Sequence, residues 1–324
     1  MRVLLLHSDV PTDAPPDEQD TLIAAEAAAA ALTERGHSVV RAAFAPDPAV
    51  LDRALGDSRA ELVFNLVESV FGQGNLCGLA PALLEKRGTL FTGASAIAID
   101  CCADKPFTKR ILRAATLPTP DWAEPPRWDG LAEDQLYVVK AAAEDSSIGL
   151  DDASVVRGGK AVRARAAEGA ERHGGIWFAE SYCSGREFNV ALLETEDDLR
   201  VLPIAEIVFS DWRPDRPRLV GYAAKWDPQS FDCAATQRVF GVETEAPDLA
   251  DRLAQLSQTV WHLFGLRGYA RVDFRLDAAG APMILEINPN PCLEPQAGFA
   301  AAALEGGIAY AELVDRILCA AIRD

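Results

Sequence analysis

Three oxygen-bearing side chains sit near the end of the last apolar hairpin of this 324-residue chain. Asp273 lies in "RVDFRL", and Glu286 and Asn288 lie in "ILEIN". The turn Asp277-Ala-Ala-Gly280 joins the two runs, as in a β-hairpin. Adjacent antiparallel strands bring such side chains onto one face. Two carboxylates and an amide there suit a hard cation that keeps positions open for phosphate. Mg2+ is the expected ion, with Mn2+ the alternative. The same groups could instead decorate a solvent face. Arg271, two residues before Asp273, shares its face and suits an anionic substrate.

Other stretches add compatible chemistry. In "VVKAAAEDSSIGL" (138–150) a strand delivers Lys140, and small polar residues lead to Ser146, Ser147 and Gly149. Backbone N–H groups and hydroxyls in such a loop can wrap a polyphosphate while the lysine adds a point charge. It is not a Walker A loop, and a plain exposed turn is the other reading. In "FAESYCSGREF" (178–188) Glu180 ends a strand and Glu187 follows a short linker. A purine could pair with the backbone between them while a carboxylate holds ribose hydroxyls; two surface glutamates is the alternative. Lys105, in "ADKPFTK", starts a helix, where a cation opposes the helix dipole and implies a nearby anion.

The elements that must position these groups fall into three parts. Strands "RVLLLH", "HSVVRAAF", "AELVFNL" and "GTLFTG" alternate with helices at 21–35 and 78–87, the pattern of a doubly wound α/β domain over 1–96. The first helix is expected to be capped by Asp20 and to stop at Gly36. From 97 to 178 an Asp104-capped helix with Pro106 in its first turn, a Pro-rich connector, and strands "LYVVK" and "GIWFAE" suggest a small α+β unit. From 179 to 324 longer strands, "EFNVALLE", "RVLPIAEIVF" and the hairpin, combine with amphipathic helices at 248–264 and 309–322.

Composition bounds the partners. Lys and Arg number 31 against 49 Asp and Glu, a net charge of −18, which argues against nucleic acid or an anionic membrane. An anionic ligand therefore needs a local cationic pocket. Seven Cys without a C-x-x-C pair read as mostly buried thiols in a reducing cytoplasm. No apolar run approaches the roughly 18 residues of a membrane span, and "MRVLLLHSDV" reads as a buried strand rather than a secretion signal.

Taken in order, these pieces resemble the ATP-grasp superfamily, in its D-alanine–D-alanine ligase-like branch. The likeness is carried by "FTGASAIAIDCCADKPFTKRILRAATLPTP", "KAAAEDSSIG", "ESYCSGRE", "AAKW" and "GYARVDFRLDAAGAPMILEINPNPC". It implies a three-domain ATP-grasp fold: an N-terminal α/β domain, a small central α+β domain and a C-terminal α+β domain with an antiparallel sheet. Lys105 and Lys140 would hold ATP phosphates, with Ser146 and Ser147 in the closing loop. Glu180 and the backbone of Ser181 and Cys183 would meet adenine, and Glu187 the ribose. Asp273, Glu286 and Asn288 would hold two Mg2+ ions, Arg271 would stabilise an oxyanion, and Lys225 would lie in the capping loop. The implied reaction joins a small-molecule carboxylate to an amine through an acylphosphate, releasing ADP and phosphate. A homodimer is also implied.

Departures fall on the amino-acid side. Cys292 stands where the ligases have glycine, and Ala297 near the position of a serine that holds the acceptor carboxylate. Trp226 replaces a tyrosine, and Glu68-Ser69 a histidine–glycine pair. The first-domain glutamate has only Glu18 or Asp20 as counterparts. Glu68 or Glu294 would favour a cationic or amine-bearing substrate, or act as structural carboxylates. No His is local to Cys292, so a backbone N–H donor is expected there rather than a nucleophile. The expectation is therefore a ligase acting on another amino acid or small peptide. The alternatives are a genuine D-alanine–D-alanine ligase of cell-wall synthesis, a non-catalytic ATP-binding module, or an intramolecular cyclase.

Overall fold

The computed structural model describes residues 1–144, 146–195 and 198–322. Asp145, within the expected phosphate loop, lies outside the described residues. The N-terminal part contains β1 (Arg2–His7), α1 (Pro16–Glu34), β2 (Ser38–Ala43), α2 (Pro48–Ser58), β3 (Leu62–Leu66), α3 (Leu79–Arg87) and α4 (Ala96–Ala103). The strands are parallel in the order β2-β1-β3. The near-continuous apolar runs of β1 and β3 are what burial on both faces of a parallel sheet requires.

Two local expectations are corrected here. Helix α1 begins at Pro16, five residues earlier than the Asp20 cap implied, with Asp17 and Glu18 in its first turn. Proline's fixed φ suits the first helical position, and the carboxylates complement the helix dipole, so Asp20 falls inside the helix. "GTLFTG" makes only an isolated parallel bridge, Val63 to Phe91. The N–H of Asn65 donates to the Thr92 hydroxyl at 2.9 Å instead of a backbone carbonyl, which ends the ladder.

The middle of the chain holds α5 (Lys105–Ala114), β4 (Trp122–Ala123), β5 (Leu136–Ala141), β6 (Val155–Arg157), α6 (Gly158–His173) and β7 (Trp177–Ser181). Its strands form an antiparallel sheet, β4-β7-β5-β6. Val162 and Ala166 of α6 pack on that sheet against Val139, Trp177 and Ala179.

The rest comprises β8 (Glu187–Glu194), β9 (Leu199–Val201), β10 (Ala205–Phe209), α7 (Tyr222–Trp226), α8 (Phe231–Ala235), β11 (Thr236–Val239), α9 (Val242–Glu245), α10 (Pro247–Phe264), β12 (Tyr269–Leu276), β13 (Pro282–Asn288), α11 (Gly298–Glu305) and α12 (Tyr310–Ala320). The sheet runs β11-β10-β8-β12-β13, with β9 also paired to β8. "RVLPIAEIVF" is thus two strands rather than one. Pro203 lies in the gap, and proline has no N–H for a ladder. One apolar core joins Val3 and Leu5 of the first sheet to Leu193 and Tyr269 of the third, with Phe299 of α11 and Leu313 of α12. Among the described residues, no helix is long and apolar enough to cross a membrane.

Asp104 caps α5 as expected, its carboxylate accepting the Phe107 N–H at 2.8 Å. Asp104→Ala should cost about 1 kcal/mol of stability, the usual worth of such a cap. Equilibrium denaturation reads this directly; an unchanged midpoint would show that the cap does not hold α5.

Candidate active site

The strand register supplies the geometry of the hairpin. Asp273 pairs directly with Glu286, and Arg271 with Asn288. A bulge between Asp273 and Phe274 leaves Leu285 without a partner, and bulges re-aim side chains beside functional sites. On its other side β12 pairs with β8, setting Asn189 opposite Asp273. Asp273 is 6% exposed. It accepts two bonds from Arg271, at 2.7 and 2.8 Å, one from the Asn189 amide at 2.8 Å, and one from the Asn288 amide at 3.2 Å.

The two facing carboxylates behave differently. Burial pushes the Asp273 carboxyl up more than the Arg271 guanidinium lowers it, and the charge on Glu286 adds to the rise. Burial also acts against ionised Glu286, but Lys105, Lys140, Lys225 and Arg271 together hold it well below the usual carboxylate range. Lys105 reaches it at 3.9 Å and donates to the Glu144 carbonyl at 2.7 Å. Among the described residues, no three His, Cys, Asp or Glu side chains are grouped to hold a metal. The donor set is two carboxylates and the Asn288 amide oxygen. All are hard oxygen donors, and the ionised Glu286 gives them net negative charge, which fits Mg2+.

A cavity of about 600 Å³ runs from this hairpin to the central sheet. Every candidate singled out from the sequence lines it. At one end, Glu180 is buried on β7. Its two oxygens each lie 2.6 Å from a lysine, Lys109 on α5 and Lys140 on β5. Glu187 opens β8 and accepts from Arg275 at 2.9 Å, and Arg275 also donates to the Cys183 carbonyl at 2.9 Å. The backbone N–H of Ser181 is taken by the Asp121 carbonyl at 2.8 Å, and its hydroxyl accepts from Gln135 at 2.6 Å. Burial, with Glu180 nearby, pushes the Cys183 thiol up to about 11.

Two segments close over the middle. Ser146 and Ser147 hold φ of 58° and 60°, the left-handed region that costs roughly 1–2 kcal/mol for a residue with a Cβ. Bonds to the segment carrying Lys225 fix them there. Ser147 Oγ donates to Val220 O at 3.0 Å, Trp226 Nε1 to Ser146 O at 3.0 Å, and Tyr222 N to Leu150 O at 3.0 Å. The Tyr222 hydroxyl reaches across to Asp17 of α1 at 2.7 Å. Arg216 bonds both Asp152 and Asp232 and stacks on Trp212, tying the two segments at their outer edge.

The remaining candidates line the other end. Cys292 donates its thiol to Asp20 at 2.9 Å and accepts the Glu294 N–H at 3.3 Å. Burial, with Glu68 and Asp20 nearby, holds that thiol far above its usual range. It is therefore neutral, not a nucleophile. Glu294 accepts from the Gln296 N–H at 2.7 Å. The backbone N–H groups of Glu68 and Ser69 both donate to Ser8 Oγ at 3.0 Å. Glu18 lies against Gly72.

Several contributors escaped the sequence reading. Lys109 stands in the quoted "DKPFTK" but looked like an ordinary helix residue. Asn189 and Arg275 lie on strand faces whose alternation would have found them. Tyr222 and Asp17 are 205 residues apart, and no local signal links them.

A phosphate-loop candidate and a lid, the segment carrying Lys225, borne by different sheets around the carboxylates of one cavity, define an ATP-grasp protein. Residues 134–319 match the family model described as D-ala D-ala ligase C-terminus, and the chain belongs to that family. It is 30% identical to the D-alanine–D-alanine ligase of Desulforudis audaxviator, over 93% of this chain and 94% of that one. It is 31% identical to the uncharacterized protein y4sG of Sinorhizobium fredii, over 86% of this chain and 77% of that one. The crystal structure of the Bacillus anthracis D-alanine–D-alanine ligase complexed with ATP superposes with a TM-score of 0.76 at 20% identity, covering 100% of this chain and 97% of that one. The chain is an ATP-grasp ligase, an enzyme class that uses ATP and Mg2+ to form carbon–nitrogen bonds.

Gly221 marks how closely the lid approaches. A Cβ there would lie 2.7 Å from the Leu150 carbonyl, closer than a methyl group can approach a backbone oxygen. Gly221→Ala should loosen the lid and raise the rate of limited proteolysis within residues 210–226 severalfold. Cleavage at the wild-type rate would show that this contact does not hold the lid.

Proposed function

We infer that the protein joins two molecules of D-alanine, activating the carboxylate of one with ATP for attack by the amine of the other. The observation that carries the ligase reading is the hairpin itself. Arg271 lies beside Asp273, with Glu286 and Asn288 across the strand pair, in the cavity that also contains Lys105 and Lys140. The D-alanine reading is supported by the ligase of Desulforudis audaxviator, matched over nearly its whole length. The expectation of another substrate pair leaned on Ala297, Glu68-Ser69 and the unmatched first-domain glutamate, and also on two replacements, Trp226 and Cys292. Both are engaged internally, with Ser146 and Asp20, so neither change installs a new recognition group.

The residues divide the work as follows. Lys105 and Lys140 hold the nucleotide phosphates, and Ser146, Ser147 and Lys225 close over them. Glu180 and Glu187 hold the nucleoside. Asp273, Glu286 and Asn288 would bind Mg2+, which supplies charge neutralisation during phosphoryl transfer. The substrate carboxylate attacks the γ-phosphorus, ADP departs, and the acylphosphate carries a good leaving group. The amine then attacks the acyl carbon. Arg271 donates to the resulting oxyanion, an interaction worth about 3–4 kcal/mol in comparable sites. Phosphate leaves as the carbonyl reforms. The clasp between the Ser146–Leu150 loop and the lid keeps water from the acylphosphate.

A second reading, a ligase with a different acceptor, has one observation in its favour. Ala297 is the N-cap of α11 and offers no side-chain cap, so no hydroxyl stands where the resemblance implies one for the acceptor carboxylate. ADP release with D-alanine as sole amino acid, measured beside a panel of other amino acids and dipeptides, separates the two. In the same assay Asp273→Asn and Arg271→Ala should each lower kcat by about 10²-fold or more. Unchanged substrate-dependent ADP release in both variants would sink the ligase assignment.

A further inference from the structure

Lys109 is a buried lysine that the reaction above does not use. Its side chain is 1% exposed, against 4% for Glu180 and 14% for Lys140. It does not line the cavity, whereas Glu180 and Lys140 do. Its ammonium lies 2.6 Å from Glu180 Oε2 and donates to Thr119 Oγ1 at 2.9 Å. The Thr119 hydroxyl donates in turn to the Ile284 carbonyl at 2.9 Å, on β13 two residues before Glu286. Lys140 holds the other oxygen, Oε1. A single, almost fully buried carboxylate thus carries two lysines. Burying an extra ammonium is strongly unfavourable, and one lysine would already neutralise Glu180.

The arrangement makes sense if one lysine must leave. Two groups assigned above to the nucleotide, Lys140 to its phosphates and Glu180 to its nucleoside, are paired with each other here. Nucleotide entry must open that pair. Were Lys140 the only partner, opening it would strand a buried carboxylate, which would take up a proton and change from acceptor to donor. Lys109 is anchored through Thr119 to a strand backbone and cannot follow Lys140. We propose that Lys109 is a positioning residue that keeps Glu180 ionised, and so an acceptor for the nucleoside, once Lys140 turns to the phosphates. The inference rests on the ATP-binding part of the functional reading. The groups facing Glu180 are Lys109 from α5, Lys140 from β5 and the neutral Cys183 thiol beyond β7.

The test is calorimetric titration of MgATP, at pH 6 and pH 8, into the wild type and Lys109→Met. Dissociation constants should rise at least tenfold in the variant, with kcat at saturating ATP within about threefold of wild type. The deficit should be larger at pH 8. In the variant, Glu180 has a higher pKa with nucleotide bound than without, so binding takes up a proton and weakens as pH rises. A purely structural lysine would lower stability without adding that proton uptake. A folded variant with wild-type affinity at both pH values overturns the proposal. Should Lys109→Met not fold, the double variant Lys109→Met/Glu180→Gln removes both charges. It should bind MgATP as Glu180→Gln alone does, and further weakening would overturn the proposal. A wild type that does not bind ATP would defeat the functional reading itself. Wild-type binding with an unaffected variant defeats this inference alone.

Discussion

Two carboxylates that face each other across one strand pair, at the wall of the cavity, impose the constraint around which this molecule is built. Asp273 and Glu286 are register partners on neighbouring strands. At a cross-strand spacing of about 5 Å, two such charges repel by roughly 3 kcal/mol at an effective dielectric near 20. The fold answers with cations from separate places: Lys105 from the start of α5, Lys140 from β5, Lys225 from α7 and Arg271 from β12. In this form Arg271 serves Asp273 with two hydrogen bonds. A divalent cation at the carboxylates would relieve the same repulsion, leaving the guanidinium available to substrate.

That constraint gives meaning to features that look incidental alone. Lysine at the first position of a helix is unfavourable for the helix, yet the Asp104 cap and the Glu286 carboxylate make the position workable. Ser146 and Ser147 tolerate left-handed backbone because hydrogen bonds from the lid hold them. Backbone strain is retained where the surroundings over-determine it, and here those surroundings are supplied by the connection between β10 and β11. The Tyr222 to Asp17 bond brings in the N-terminal part as a third wall. Closure is therefore a property of the whole chain rather than of one loop.

Much of this was legible in the sequence, for identifiable reasons. The hairpin reads clearly because two apolar runs and a Gly turn announce it, but the bulge that sets Glu286 rather than Leu285 opposite Asp273 is not written in either run. The Asp104 cap and its following proline read equally well, since capping is local. What escaped was non-local or disguised. Lys109 occupies a helix position indistinguishable by pattern from a surface lysine, and only the packing of α5 against β13 and the pairing with Glu180 of β7 bury it. "GTLFTG" has strand composition, but a threonine hydroxyl takes the place of a ladder acceptor. Cys292 invited a change of substrate in the sequence reading, whereas its thiol is satisfied by Asp20.

The central claim is that a substrate carboxylate attacks the γ-phosphorus of ATP before the amide forms. The most direct measurement is isotope transfer from D-alanine labelled with oxygen-18 in its carboxylate, with the released phosphate analysed by mass. Attack by the carboxylate carries one of its oxygens into phosphate when the acylphosphate collapses. The account predicts phosphate carrying one atom of the label for each ADP formed. Unlabelled phosphate, released with ADP in the presence of labelled D-alanine, would contradict it.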